Sequence, residues 1–237
     1  ASDKDFVYAI TSRGVAKYDR KSGKRVATSQ GAAKHLNSGF FWKGKLLCAH
    51  SNYPLKPEHS EIKVLDVGSM KLTTFKDFGS AGGSLTWVLH KDGFWWCNFA
   101  LYGADNHKTF LVKYDEKWRE VARWIYPKKV ISQLGRHSLS GGIWRGEELW
   151  TTGHDDPVAF RLGLPKEGSE LKYLGQHAIP FTGQGLANDP VSGGLVGISR
   201  AKRQVIFATA KAEPVRLRVL CYNIHHAEGV DGKLDVP

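Results

Sequence analysis

The sequence predicts an all-β protein, a β-propeller of about five four-stranded blades. Three observations support this: a repeat of about 48 residues, aromatic-rich apolar strands, and a polar glycine turn between them. In each repeat, an apolar strand, the turn and a second apolar strand follow one another. These hairpins begin at Ser38, Gly83, Ser140 and Gly183. Their turn glycines are Gly44, Gly93, Gly146 and Gly194, which are 49, 53 and 48 residues apart.

A third strand follows each hairpin at similar spacing, and a turn and one more strand follow the third. The third strands end at Asp19, Asp66, Asp115 and Leu162, which are 47, 49 and 47 residues apart. The repeating unit therefore has four strands, which we call a, b, c and d from the centre outwards. Packing such sheets radially buries both faces of each one and protects their edges. A two-layer β-sandwich is the alternative architecture.

The two ends of the repeat array are incomplete. The first blade begins with strand b at Phe6, and residues 2–5 look like the turn between its strands a and b. The last repeat supplies strands a, b and c only. We expect either a ring of five blades or further blades upstream of Ala1, and we place the propeller in residues 1–213.

Composition excludes several classes of protein. The chain has 237 residues, of which 41% are hydrophobic, so intrinsic disorder is excluded. It has no apolar run near the roughly 20 residues that a transmembrane helix needs. Three cysteines are too few for a disulfide scaffold, and we expect Cys48 and Cys97, at matching strand-b positions, to be buried and unbridged.

Residues 214–237 depart from the repeat and resemble another family. The segment VRLRVLCYNIHHAEGVDGKLDVP has a basic and hydrophobic strand that closes on Tyr-Asn-Ile, then two histidines and DGKLD. It is similar to the opening strand of the endonuclease/exonuclease/phosphatase family, the DNase I-like hydrolases. Ala227 stands where exported bacterial members often have glycine. The alternative is that these residues form a last propeller strand with a mobile end.

The resemblance implies a metal-dependent phosphoesterase. It places Asn223 in the active site, beside Mg²⁺ or Mn²⁺ and the phosphate of a phosphate-ester substrate. The family's other ligands would lie beyond Pro237, and a hard cation needs several oxygen ligands. We therefore expect this chain to be inactive alone and its parent to be a phosphoesterase or nuclease. Similarity to exported members further implies a secreted or periplasmic protein.

The loops between strands b and c, and between blades, share one end of a propeller and supply candidate ligand-binding residues. Polar groups that converge at a channel mouth are the usual site hypothesis. The candidates are His35, Asn37, His50, Asn52, Asn106, His107, Arg136, His137, His154, Asp155, Gln184 and Arg200. We expect an anionic ligand or a protein loop as the partner and a monomeric chain. The alternatives to a phosphoesterase module are a binding propeller without catalysis and a propeller enzyme with a site at this channel mouth.

Two further patterns concern metals and charge. His154, Asp155 and Asp156 could ligate Ca²⁺, but their spacing is not that of an EF-hand, so a turn is the better interpretation and no cofactor is assigned to the propeller. The formal net charge is +11, from 34 Lys and Arg against 23 Asp and Glu. Nine Lys and Arg lie between Ser12 and Leu46, where we expect basic outer strands that prevent edge pairing or attract polyanions.

Overall fold

The computed structural model describes residues 1–209 as five antiparallel sheets arranged in a ring, which confirms the all-β propeller. The predicted second segment, residues 214–237 with Asn223, lies outside the described residues. No helix within residues 1–209 has the length and apolar character needed to cross a membrane.

The strand order within each sheet follows the chain. Blade 1 contains β1 (Phe6–Thr11), β2 (Gly14–Asp19) and β3 (Arg25–Thr28). Blade 2 contains β4 (His35–Trp42), β5 (Lys45–Ser51), β6 (Ser60–Leu65) and β7 (Leu72–Gly79). Blade 3 contains β8 (Ser84–Lys91), β9 (Phe94–Ala100), β10 (Phe110–Tyr114) and β11 (Glu120–Ile125). Blade 4 contains β12 (Gly141–Arg145), β13 (Glu148–Thr152), β14 (Val158–Gly163) and β15 (Lys172–Ala178). Blade 5 contains β16 (Thr182–Asn188), β17 (Leu195–Ser199) and β18 (Gln204–Ala208).

The turns between strands a and b explain the glycine repeat. In blades 2 and 3 the two-residue turns are Lys43-Gly44 and Asp92-Gly93, and all four residues have positive φ. That geometry matches the twist of a hairpin and favours glycine at the second position. Blade 5 differs from the prediction, because Gly193 and not Gly194 takes the positive φ, in a longer connection.

Blade 1 has a short inner partner for β1, whereas the sequence predicted no strand a and a turn over the whole of residues 2–5. Ser2 forms an antiparallel bridge with Val7, and the Tyr8 amide donates a 2.9 Å hydrogen bond to the Ala1 carbonyl. The Asp3 carboxylate accepts hydrogen bonds from the amides of Asp5 and Phe6. Residues 1–2 therefore occupy the strand-a position of this blade, and residues 3–5 form the turn.

Apolar side chains fill the spaces between blades. Between blades 2 and 3 the fully buried residues include Leu47, Ile62, Leu85 and Phe99. Burying each such side chain contributes about 1.5–3 kcal/mol. Between blades 3 and 4 the indole of Trp87 lies flat against Gly142, where a Cβ would stand 2.7 Å from the ring.

Blades 1 and 5 close the ring through apolar contacts and one ion pair. The apolar part consists of Val7, Ala9, Tyr18, Val196, Val205 and Phe207. Beside it, the Arg20 guanidinium donates to both oxygens of the Asp189 carboxylate, at 2.8 and 2.7 Å. Asp189 lies in the turn that follows β16, so this pair fastens the last sheet to the first.

Two short helical segments were not predicted. A 3₁₀ helix (Gly103–Lys108) lies between β9 and β10, and α1 (Lys128–Ile131) lies in the long connection from blade 3 to blade 4. Cys48 and Cys97 are buried and free, as predicted. Of the four basic residues expected on the outer strands of blade 1, Lys17 and Arg25 lie on β2 and β3, whereas Lys21 and Lys24 lie in the turn between them.

Candidate functional site

One end of the propeller is basic and the other is not. Within residues 1–209, the loops between strands b and c and the loops between blades together contain ten Lys and Arg but only four Asp and Glu. At the opposite end, the a–b turns, the c–d turns and residues 1–5 together contain nine Lys and Arg and ten Asp and Glu. We call the first end the loop face. Its field attracts anions, whereas that of the other end does not.

The excess charge of the loop face is concentrated over blades 5 and 1. Over the part of the chain that the structure describes, the loops there carry five exposed Lys and Arg and no Asp or Glu. These residues, which we call the basic sector, are Arg13, Lys34, Arg200, Lys202 and Arg203. In the other loops of this face the two signs are nearly balanced.

Next to the basic sector, two histidines and an aspartate converge. The rings of His137 and His154 stack, with centroids 3.9 Å apart. Nδ1 of His137 lies 3.3 Å from Oδ2 of Asp155, and Nδ1 of His154 lies 2.5 Å from Oδ1. The imidazoles are half-buried and the carboxylate is exposed. The group combines two nitrogen donors with one oxygen donor, which is a set that can hold a metal ion.

The backbone around His137 is fixed by buried polar residues of blade 3. The Asn106 side chain donates hydrogen bonds to the carbonyls of Gly135 and His137, at 2.7 and 2.9 Å. Ser138 and Thr109 share a buried 2.8 Å hydrogen bond between their hydroxyls. The 3₁₀ helix thus anchors the connection between blades 3 and 4.

The position of His154 is set by a close approach of two backbones. A Cβ on Gly183 would stand 2.2 Å from the Gly153 carbonyl oxygen, so only glycine fits there. The Thr152 hydroxyl donates to the Gly183 carbonyl at 2.5 Å. This contact brings the Gln184 side-chain amide against Nε2 of His154.

The electrostatics of the cluster favour the neutral form of His154. Burial lowers the pKa of His154, the hydrogen bond to Asp155 opposes that shift, and the charges of His137 and Arg200 add to it. Burial, with the charges of Arg200 and His154, also lowers the pKa of His35. Burial disfavours ionised Asp155, but its contacts with His154 and His137 outweigh this and lower its pKa. His35 and Arg200 therefore share one field with the cluster.

A cavity of about 240 Å³ opens beside the cluster. His154, Asp155 and Asp156 line one side, and Leu134 with Phe160 forms its apolar wall. A larger cavity, of about 570 Å³, lies at the a–b turns of the opposite end. None of the twelve predicted candidates lines that second cavity.

Six of the twelve candidates share this part of the loop face: His35, His137, His154, Asp155, Gln184 and Arg200. Three others hold the scaffold together. Asn37 donates a hydrogen bond to the Leu85 carbonyl, and the Asn52 side chain binds the Pro57 carbonyl and the His59 amide. Asn106 donates to the two carbonyls on either side of Arg136.

The remaining three candidates also lie outside the cluster. His50 is buried, accepts a hydrogen bond from the Lys34 amide at Nε2, and has Nδ1 3.3 Å from Glu61. His107 contacts the Ala104 carbonyl within its own helical turn. Arg136 is exposed, and its carbonyl accepts a hydrogen bond from the Gly103 amide.

Sequence reasoning missed the cavity wall, Leu134 and Phe160. No local pattern marks these two residues, because each is an ordinary apolar position in the sequence. They meet only because the connection with α1 folds back beside blade 4.

Solved structures resemble this chain at low sequence identity. No family model matches the sequence, and no curated protein matches it. A protein of unknown function from Bacteroides caccae has a TM-score of 0.51 at 10% identity, over 90% of this chain and 72% of its own. Kuenenia stuttgartiensis hydrazine synthase has a TM-score of 0.49 at 8% identity, over 90% and 70%. The Cps50 (Swd1) β-propeller domain of Myceliophteria thermophila has 0.46 at 13%, over 90% and 65%. At these identities the likeness concerns the fold alone.

Proposed function

We propose that the propeller binds phosphate esters at its loop face and presents them to a metal-dependent phosphoesterase domain that begins near Val215. The observation that carries the first part is the uneven charge of the two ends. Polyanions are drawn to a face with excess Lys and Arg, and their phosphates release counterions on binding. The basic sector provides five such side chains in neighbouring loops, next to the imidazole cluster.

The binding part is tested with a fluorescein-labelled dT15 oligonucleotide, a phosphodiester without sequence variation. Fluorescence anisotropy gives its Kd between 50 and 200 mM salt. The test variant carries Arg200→Gln, Lys202→Gln and Arg203→Gln. The matched control carries Lys21→Gln, Lys24→Gln and Lys71→Gln, three exposed lysines of the c–d turns.

The two triple variants lose the same charge, so only location distinguishes them. We expect the first to lose roughly 10-fold or more in affinity and its salt slope to fall by about 2, the value for three lost phosphate contacts on a single strand. The control is expected to stay within about 2-fold of the unchanged protein. Equal losses in the two variants, or no binding at 50 mM salt, would rule out a loop-face phosphate site.

The phosphoesterase part of the proposal is supported by the sequence from Val215 onwards, and it assigns Asn223 to the active site with Mg²⁺ or Mn²⁺. The full-length parent should hydrolyse bis(p-nitrophenyl) phosphate when either ion is added. Asn223→Ala should lower that rate roughly 100-fold, as for loss of one preorganised polar group, while Asn188→Ala on the propeller should not. A parent whose hydrolysis ignores Asn223→Ala contradicts the assignment. An exported location belongs to the same proposal.

A further inference from the structure

We propose that His137, His154 and Asp155 form a binding site for one divalent transition-metal ion, with Zn²⁺ as the best fit. Two imidazole nitrogens and a carboxylate oxygen are the donors that Zn²⁺ takes in sites with three protein ligands. Nitrogen donors argue against Ca²⁺ and Mg²⁺, which take oxygen ligands. This site goes beyond phosphate binding and stands whether or not the loop face holds anions.

The donor atoms lie close enough together to hold one ion. At Zn–N and Zn–O distances of about 2.0–2.1 Å, neighbouring ligand atoms are about 3.3 Å apart. Nδ1 of His137 and Oδ2 of Asp155 already lie 3.3 Å apart, and all the ligand atoms lie within 4.8 Å of one another. The 2.5 Å contact between His154 and Asp155 must lengthen by about 0.8 Å. The Asp155 side chain is 65% exposed and contacts only these imidazoles among the described residues, so it is free to rotate.

One of the two histidines has a polar side chain against its other ring nitrogen, the one that would not bind the metal. A histidine that binds a metal through Nδ1 carries its proton on Nε2, and metal-binding histidines usually donate that proton to an oxygen. The Gln184 amide lies against Nε2 of His154. The amide oxygen and nitrogen exchange places by a half-turn, so Oε1 of Gln184 can accept a hydrogen bond from Nε2–H of His154.

The backbone holds the site in shape before any ion arrives. Asn106, buried to 4% exposure, fixes the carbonyl of His137, and the contact between Gly153 and Gly183 fixes the chain at His154. His137 lies in the connection that leads from blade 3 into β12, and His154 follows β13, so the two histidines meet at the loop-face end of one hairpin of blade 4. The 240 Å³ cavity beside them leaves room for a water molecule as the fourth ligand.

The test is a titration of the folded protein with Zn²⁺ and with Co²⁺. All variants carry His225→Ala and His226→Ala, which removes the two adjacent histidines outside the described residues. Calorimetry gives the stoichiometry and Kd for Zn²⁺, and the visible spectrum of bound Co²⁺ gives the coordination geometry. The control variant is His59→Ala, because His59 pairs with Asp77 at 3.0 Å without a second imidazole.

We expect one Zn²⁺ per chain with a Kd of about 1 μM or below, and the intense visible bands of tetrahedral Co²⁺. His137→Ala and Asp155→Asn should each weaken Zn²⁺ binding roughly 100-fold, and Gln184→Ala about 10-fold, whereas His59→Ala should leave it unchanged. Asp155 is exposed, so Asp155→Asn tests the site without threatening the fold. Failure to bind Zn²⁺ at about 10 μM, or binding that survives both ligand variants, overturns the proposal.

Discussion

Asp189→Asn is expected to loosen the closure of the ring. The Asp189 side chain is fully buried and accepts five hydrogen bonds, two from Arg20, two from Ser192 and one from Ser2. Arg20 and Ser2 belong to blade 1, and Asp189 and Ser192 to blade 5. Asparagine keeps the shape of the side chain but removes the charge that faces the guanidinium. It also replaces one accepting oxygen by an NH₂ donor, so the substitution tests the charge and the hydrogen bonds to it together.

The magnitude follows from burial. Removing one partner of a buried ion pair costs about 3–5 kcal/mol, because the other charge is left uncompensated. Arg20 retains 16% exposure, so we expect the lower end, about 3 kcal/mol. With a urea m-value of about 2–3 kcal/mol/M, the unfolding midpoint should fall by about 1–1.5 M.

The control is Glu120→Gln. Glu120 also binds an arginine through both oxygens, at 2.9 and 2.8 Å to Arg123, but those two side chains are 40% and 48% exposed. Pairs exposed to that extent contribute less than about 1 kcal/mol. If the two variants lose the same stability in urea, the assignment of ring closure to Asp189 is wrong.

The Asp189–Arg20 ion pair also predicts that the protein loses stability at low pH. Burial disfavours the ionised carboxylate, but the hydrogen bonds from Arg20, Ser192 and Ser2 outweigh it and hold the pKa of Asp189 well below its usual range. The folded state therefore binds a proton less readily than the unfolded chain. Its contribution is complete above about pH 4, the unfolded pKa, and is lost as the pH falls further. Asp189→Asn should remove this part of the acid sensitivity.

Three other changes test the interior. Burial is the main cause that lowers the pKa of His50 to about 4. The contribution of His50 to stability is therefore complete above about pH 6.5 and is lost as the pH falls toward 4. In His50→Gln, the urea midpoint should change less with pH over that window. Gly183→Ala should cost about 2 kcal/mol or more in urea unfolding because of the Gly153 carbonyl, whereas Gly185→Ala, with open space, should cost under about 1 kcal/mol. In a Cys221→Ser background, Cys48 and Cys97 should stay unreactive toward DTNB until the protein unfolds, since both are buried and burial raises the pKa of Cys48 to about 12.

The fold could be predicted from the sequence because each blade repeats the same local signals. The alternation of strands such as Ile62 and Val64 against Glu61 and Lys63, and the glycine turns at fixed spacing, arise within single blades. The connection with α1 was missed because it breaks the repeat. Its short helix forms where Val130 and Leu134 pack between blades 3 and 4, and such packing depends on the tertiary structure.

The site could be predicted only in part. Knowing that two kinds of loop share one face was enough to group His137 with His154, although 17 residues separate them in the chain. The sequence could not distinguish these from His50 and Asn106, since all four are polar residues at loops or strand ends. Their roles are separated by burial: His50 and Asn106 are each 4% exposed and bind backbone groups, whereas His154 lines the cavity and stacks on the half-buried His137.

The inner strand of blade 5 joins the two features on which these proposals rest. Near the start of β16, Gln184 contacts His154 and Gly183 contacts Gly153, and Asp189 follows the last residue of the strand. Between them the register with β17 is irregular from Thr182 to Leu186, so the cluster end of the strand is not held by a continuous ladder. A structural change at Asp189 is therefore not expected to reach His154 along β16. We expect Asp189→Asn to lower the urea midpoint and leave the Kd for Zn²⁺ within about 2-fold at 25 °C, as for distant independent sites. A parallel loss of Zn²⁺ affinity in the folded variant would show instead that β16 transmits the state of the ring closure to His154.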